Sequence, residues 1–385
     1  MLIEDARRRI SELSHLHAFI SISDEQNEGT VVGVKDLIDV RGMVTTAGSV
    51  LLPDRPAATD APVVLRIREH GAVVVGKTNL HEFAYGVTST NPHYGFVLNP
   101  HDPDRVAGGS SGGSAVAVAT GMCDWAIGTD TGGSIRIPAA LCGVVGFKPE
   151  LGSITTEGVI PLSESLDTIG PMGPDVATVT RAFYEMSNAA PEPFPQKWKP
   201  RLAVPTGWVS DLDPDVERAW RFAARGLPHI EFVDRMPLYR DGLTILMVEA
   251  TAFHARRLRE HPDQIGEDVQ EHLRKGAKIS PRDFGRALGG ALDLRAEARG
   301  AMKDVDALIL PTTAIVAPPV TSGNEVREPL TRYTRPFNMS GQPVVSLPVP
   351  VQSGLPVGIQ VVGRTNAIAL AAAAWLEAEW RDAAG

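Results

Sequence analysis

Two serines set in glycine-rich loops and one lysine in a β-branched run have the types and spacing for chemistry. Ser110 lies in Gly108-Gly-Ser-Ser-Gly-Gly-Ser114 and Ser134 ends Gly128-Thr-Asp-Thr-Gly-Gly-Ser134, 24 positions further on, with a short apolar segment between them. Glycines at this density let a backbone turn several amide N–H groups in one direction, which suits a site that holds developing negative charge. A serine hydroxyl beside such amides is the pairing of nucleophile and oxyanion hole that acyl transfer requires. The lysine, Lys35, interrupts Val31-Val-Gly-Val-Lys35-Asp-Leu-Ile-Asp-Val40. Strand alternation puts it on one face with Val31 and Gly33. Spacing alone reads it as a solvated residue of an edge strand, where most lysines sit.

The elements that must position these residues alternate between strand and helix. A strand is predicted at Ala18–Ile22, and a helix opens at Pro62 and stops at Gly71. A buried strand spans Ala72–Gly76, followed by a helix capped by Thr78 and running through Ala84. A long loop runs from Gly86 to Ala107. Then come a small-residue helix at Ser114–Gly121, strands at Trp125–Gly128 and Val144–Phe147, and a helix at Asp175–Met186. Further strands fall at Leu202–Val204, Ile230–Val233, Asp306–Leu310, Val344–Val349 and Val357–Val362, with a closing helix over 366–381. Prolines at Pro191-Glu-Pro-Phe-Pro195 and Pro200 mark a linker or change of layer. The alternation predicts an α/β layered fold with much parallel pairing. Strands on both sides of 201–300 belong to one sheet in this reading, which favours a single domain over 1–385 with a helical, variable region at about 190–300.

Composition bounds the function. The chain has 385 residues, 43% of them hydrophobic, enough for a sizeable core. A net charge of −9 without a Lys/Arg run argues against a nucleic-acid surface. Only Cys123 and Cys142 are present, both in apolar or Gly-rich surroundings, so they read as packing residues rather than a disulfide or metal site. No metal motif occurs; His101-Asp-Pro-Asp104 reads as a turn. The N-terminus lacks the apolar core of a secretory signal, and Ala367–Leu376 is half of a membrane span, so a cytoplasmic protein without membrane partner is expected.

Several long motifs in the same order closely resemble the amidase signature family of Ser-Ser-Lys hydrolases. They are Gly108–Ser114, Gly128–Pro138, Cys142-Gly-Val-Val-Gly-Phe-Lys-Pro149, Ser165-Leu-Asp-Thr-Ile-Gly-Pro171, Pro336-Phe-Asn-Met-Ser-Gly-Gln-Pro343 and Gly354-Leu-Pro-Val-Gly358. The resemblance covers 30–180 and 305–365 and implies an α/β/α sandwich with a large mixed central sheet covered by helices. It implies Ser134 as nucleophile, Ser110 as bridging serine after a cis peptide from Gly109, and Lys35 as base. It also implies an oxyanion hole from the N–H groups of Thr131, Gly132, Gly133 and Ser134. A basic Lys35 needs burial, because a free lysine, with a pKa of about 10.4, is protonated near neutrality. Tyr85, Thr88, Met172 and Phe337 are the candidates for the substrate pocket. Asp130, Arg136, Asp167 and Ser111 read as loop supports.

The implied activity is hydrolysis of a small-molecule carboxylic amide, with esters and carbamates as side substrates, no cofactor, and a homodimer compatible with the sequence. Two alternatives stay open. One is the glutamine-amidase A-type subunit of an aminoacyl-tRNA amidotransferase, although Leu330-Thr-Arg332 lacks the acid expected to pair with a glutamine ammonium. The other is a Ser-His-Asp hydrolase, since Gly-x-Ser-x-Gly centres on both Ser110 and Ser111, with His229, His254, His261 or His272 as base.

Overall fold

An eleven-stranded sheet runs through the computed structural model, which describes residues 1–192, 198–350 and 354–384. Of the expected linker at Pro191–Pro195, residues 193–195 lie outside the described residues. In chain order the strands of this sheet are β1 (Phe19–Ile22), β2 (Thr30–Lys35), β3 (Ala72–Thr78), β4 (Trp125–Asp130), β5 (Val145–Lys148) and β6 (Thr168–Gly173). They continue with β7 (Leu202–Pro205), β8 (His229–Ile230), β9 (Ala307–Pro311), β10 (Val344–Pro348) and β11 (Gly358–Gly363). Their spatial order is β1-β3-β2-β4-β6-β5-β10-β11-β9-β7-β8.

The sheet is mixed, with less parallel pairing than expected. Parallel pairs join β3 to β2, β2 to β4, β9 to β7 and β7 to β8. The other six contacts are antiparallel. Two of these six belong to β6, a strand the sequence reading took only as a motif loop. Thr168-Ile-Gly-Pro-Met-Gly173 carries two glycines and a proline, which hide its strand character, yet it is buried throughout and inserts between β4 and β5. Strands β7 and β8, from the variable region, extend this same sheet at its far edge.

Helices cover both faces. Gly112–Ala119 and Arg136–Cys142 pack over one of them with Ala115, Val116, Ile135 and Ala139 in its core. The larger core on the other face includes Val32, Val34, Trp125, Ile127 and Phe147 and is joined by residues of the long helices Arg235–Glu260 and Pro281–Ala301. Gly113 explains how close the first helix lies: a Cβ there would stand 2.4 Å from the Ala18 carbonyl oxygen.

Two local expectations fail. Thr78 ends β3 rather than capping a helix, and its hydroxyl bonds that of Ser114 at 2.7 Å. Only a 3-10 turn at Glu82–Ala84 follows, because Phe83 and Ala84 take positive φ (52° and 59°), which a helix cannot accommodate. The loop 86–107 folds into two short ribbons, Thr90–Asn91 with Gly95–Phe96 and Leu98–Asn99 with Asp102–Val106. Asparagine side chains satisfy its backbone: Asn91 Oδ1 accepts from the N–H groups of His93 and Tyr94, and Asn79 Nδ2 donates to the carbonyls of Tyr94 and Gly95.

Candidate active site

Strand β2 stops at Lys35 while its neighbour β4 continues to Asp130, so the lysine points into the space beneath the loops that leave β4. The edge-strand reading of Lys35 is thereby corrected. β2 lies between β3 and β4, and Lys35 is 0% exposed. Its Nζ donates to Oγ of Ser110 and to Oγ1 of Thr129, both at 2.8 Å. Burial lowers the Lys35 pKa to about 7, partly offset by the negative charges of Asp130 and Asp167. Thr129 escaped the sequence reading. Its signal was strand alternation continued past Gly128, which carries the threonine toward the end of β2.

Ser110 follows a cis peptide from Gly109 and is fully buried. Ser111 supports the loop as expected: its N–H donates to the Ser134 carbonyl at 3.1 Å and its hydroxyl donates to the Thr129 carbonyl at 3.1 Å. This holds the two Gly/Ser loops side by side. Ser134 is 6% exposed. Among the described residues no hydrogen bond joins its Oγ to Ser110, so the lysine-to-serine link is formed and the serine-to-serine link is open.

The turn before Ser134 is built on Asp130. Its carboxylate accepts from the N–H groups of Gly133 (2.8 Å) and Ile135 (3.2 Å), from Asn338 Nδ2 (2.8 Å), and from Nε and Nη2 of Arg136 (both 2.9 Å). Burial alone would raise this carboxyl, but the Arg136 charge and these donors hold it well below the usual carboxylate range. The Gly133 N–H is therefore directed at Asp130, which takes it out of the expected oxyanion set. The N–H groups of Thr131, Gly132 and Ser134 have no backbone or side-chain acceptor among the described residues. Gly133 is needed for its conformation, since its φ is +130° and a Cβ would meet Thr334 Oγ1 at 2.3 Å.

Arg136 extends the tie to the far motifs, donating to the Thr334 carbonyl and Gln360 Oε1 at 2.8 Å and to Asn338 Oδ1 at 2.6 Å. Removing it strands a buried carboxylate. Arg136→Ala is expected to lose about 3–5 kcal/mol of stability, read by denaturant unfolding; a loss under ~1 kcal/mol would mean the pair does not hold the turn. Asp167 supports the neighbouring segment, accepting from Thr131 Oγ1 at 2.5 Å and from the N–H groups of Leu162 and Ser163. Burial raises its carboxyl to about 6 despite these donors.

The expected pocket residues divide. Thr88 lines a cavity of about 160 Å³ with His81, Asp268 and Arg327. Tyr85 is 1% exposed, and its hydroxyl is buried without a hydrogen-bond partner among the described residues. Met172 and Phe337 are corrected to packing residues. Met172 sits mid-strand in β6 within the core beneath the two small helices, and Phe337 stacks on Trp208 at 5.5 Å. Both are large apolar side chains, for which core burial is the common fate. Arg335, against Gly132, was missed altogether.

The histidines give a Ser-His-Asp reading no support. His254 stacks on Phe83 at 4.1 Å and His272 lies beside Tyr85 and Arg327. Burial and an adjacent arginine push both down to about 3. Among the described residues no cluster of His, Cys, Asp or Glu suits a metal ion, and no helix is long and apolar enough to cross a membrane. Cys123 and Cys142 are free and buried.

Fold and loops together define a hydrolase of the amidase kind, and comparison with known proteins agrees. The family model described as Amidase matches residues 1–222 and 249–367. The chain belongs to the amidase signature family, hydrolases acting on amide C–N bonds. A curated relative, the A-type subunit of glutamyl-tRNA(Gln) amidotransferase from Nitratiruptor sp., is 33% identical over 94% of this chain and 91% of its own length. A crystal structure of an amidase superposes with a TM-score of 0.90 at 34% identity, covering 98% of this chain and 95% of the other. A structure from work on the origins of an s-triazine catabolic enzyme gives 0.89 at 30% identity, over 98% and 94%.

Proposed function

We propose that the chain hydrolyses a carboxylic amide through an acyl-enzyme on Ser134, with Ser110 as bridge and Lys35 as base. The observation that carries this reading is the wholly buried Lys35 amine 2.8 Å from Ser110 Oγ, with a pKa of about 7 that leaves much of it neutral at physiological pH. Ser134 Oγ attacks the carbonyl carbon as its proton moves to Ser110 Oγ, whose own proton moves to Lys35 Nζ. The oxyanion faces the free N–H groups of Thr131, Gly132 and Ser134. On collapse the C–N bond breaks, and the proton held on Lys35 returns through Ser110 to the leaving nitrogen. Water then attacks the ester along the same relay, restoring Ser134 and releasing the acid.

The curated relatives favour a narrower form of this reaction, in which the amide is glutamine and the chain is the A-type subunit of an amidotransferase. One experiment addresses both readings. A sulfonyl fluoride is expected to label Ser134, read by peptide mass, and to abolish ammonia release from a panel of amides that includes glutamine. Labelling elsewhere, with activity retained, rejects the nucleophile. Turnover of glutamine alone, with a second subunit co-purifying, selects the amidotransferase form.

A further inference from the structure

Beside the loop that bears Ser134 the protein has positive charge to spare. Arg335 is 2% exposed, and its Nε is buried with no hydrogen-bond partner among the described residues. Its guanidinium stacks on Tyr239 at 4.6 Å. Nε and Nη2 lie 3.5 and 4.0 Å from where a Cβ on Gly132 would stand, two residues before Ser134. Arg327 is close by, over the Tyr85 ring at 5.6 Å, with its Nη1 donating to Nδ1 of neutral His272 at 3.5 Å. Burial and the Arg335 charge lower Arg327 to about 10. Both arginines act electrostatically on Tyr85, whose unpartnered hydroxyl burial holds in the protonated, donating form with a pKa of about 12.

The neighbouring acids are all committed elsewhere. Asp268 accepts from His81 at 2.7 Å, and Glu249 accepts from the hydroxyls of Ser163 and Ser165. Asp241 pairs with Arg286 at 3.6 Å, and Asp167 is held by Thr131 and two backbone N–H groups. Among the described residues no carboxylate lies within ion-pair distance of Arg335 or Arg327. A buried guanidinium without counter-charge is costly, and a site that keeps one is completed by an anion from outside.

We propose that Arg335, with Arg327 and the Tyr85 hydroxyl, forms a carboxylate subsite beside Gly132, and that the substrates are anionic amides: amido acids with a free carboxylate and no ammonium. This rests on the amidase reading of Ser134 and adds the substrate class. A zwitterion such as glutamine brings an ammonium for which the described surroundings offer no uncommitted acid. A neutral amide leaves both guanidiniums unanswered.

The test compares kcat/KM for glutaramate, pentanamide and glutamine. Wild type is expected to prefer glutaramate over each of the others by on the order of 10- to 100-fold, the worth of charge-assisted hydrogen bonds to a carboxylate. In Arg335→Gln the glutaramate-to-pentanamide ratio falls toward one. Arg327→Gln, at a partly exposed position, shows a smaller fall in the same direction and covers the case in which the Arg335 variant does not fold. A preference for glutamine in wild type, or an unchanged ratio in both variants, overturns the subsite. Binding is read apart from turnover by calorimetric titration of glutaramate into Ser134→Ala and into Ser134→Ala/Arg335→Gln. Binding by the first and not the second supports the subsite, whereas equal or absent binding overturns it. Amide turnover without anion preference removes the subsite alone; turnover retained in Ser134→Ala removes the amidase reading beneath it.

Discussion

Ser134→Ala is expected to lower kcat for amide hydrolysis by roughly four to six orders of magnitude while leaving the protein folded. The size follows from the role: without the Oγ no acyl-enzyme forms, and what survives is the contribution of the oxyanion N–H groups and of binding to direct attack by water. The fold tolerates the change because Ser134 is tied to its surroundings through its main chain, whose carbonyl accepts from the Ser111 N–H whatever the side chain. Its Oγ has no partner to lose among the described residues. The measurement is single-turnover and steady-state hydrolysis beside a thermal melt. A rate within tenfold of wild type in a folded variant would move the nucleophile elsewhere.

The two candidate serines were legible in the sequence because glycine-rich loops are written in composition, whereas Lys35 read from spacing alone as a solvated edge-strand residue and only the family resemblance singled it out. The strand at Trp125–Gly128 and the glycine-rich loop it feeds could be drawn from the sequence. Three features were not legible, each for a physical reason. Strand β6 is disguised by Gly170, Pro171 and Gly173, residues that oppose strand propensity but are accommodated where Phe147 and Thr178 pack against it. The commitment of the Gly133 N–H to Asp130 depends on which way one peptide faces, which no residue type specifies. Arg335 drew no notice in the sequence because its burial beside Gly132 and helix Arg235–Glu260 is a contact between segments about 100 and 200 residues apart in sequence. Phe337, two residues later, packs on Trp208 instead.

Lys35 should set the pH dependence of the reaction. The relay needs the neutral amine, so with a folded pKa of about 7 kcat/KM is expected to rise with pH through that value and level off above it. Lys35→Met should lose on the order of 10³-fold or more in kcat, and with it the inflection. Lys35→Arg should fail equally, since a guanidinium is never neutral in this range. Lys148 gives the control: burial lowers it to about 7 as well, but its Nζ donates to the Pro149 carbonyl and to neither serine, so Lys148→Met should keep the inflection. Stability changes in the opposite direction to activity in Lys35→Met. The folded pKa lies below the unfolded value near 10.5, so between about 7 and 10.5 the unfolded chain binds more protons, and wild-type stability rises with pH across that window. Below about 7 the amine is charged in both states, and the full burial penalty, roughly 5 kcal/mol at 1.36 kcal/mol per pKa unit, is present. Lys35→Met removes that penalty, so its gain in Tm should be largest near pH 6 and fade toward pH 10. A flat rate profile from pH 5.5 to 8.5, or a methionine variant that is no more stable at pH 6 than wild type, would mean the amine is not held neutral for proton transfer.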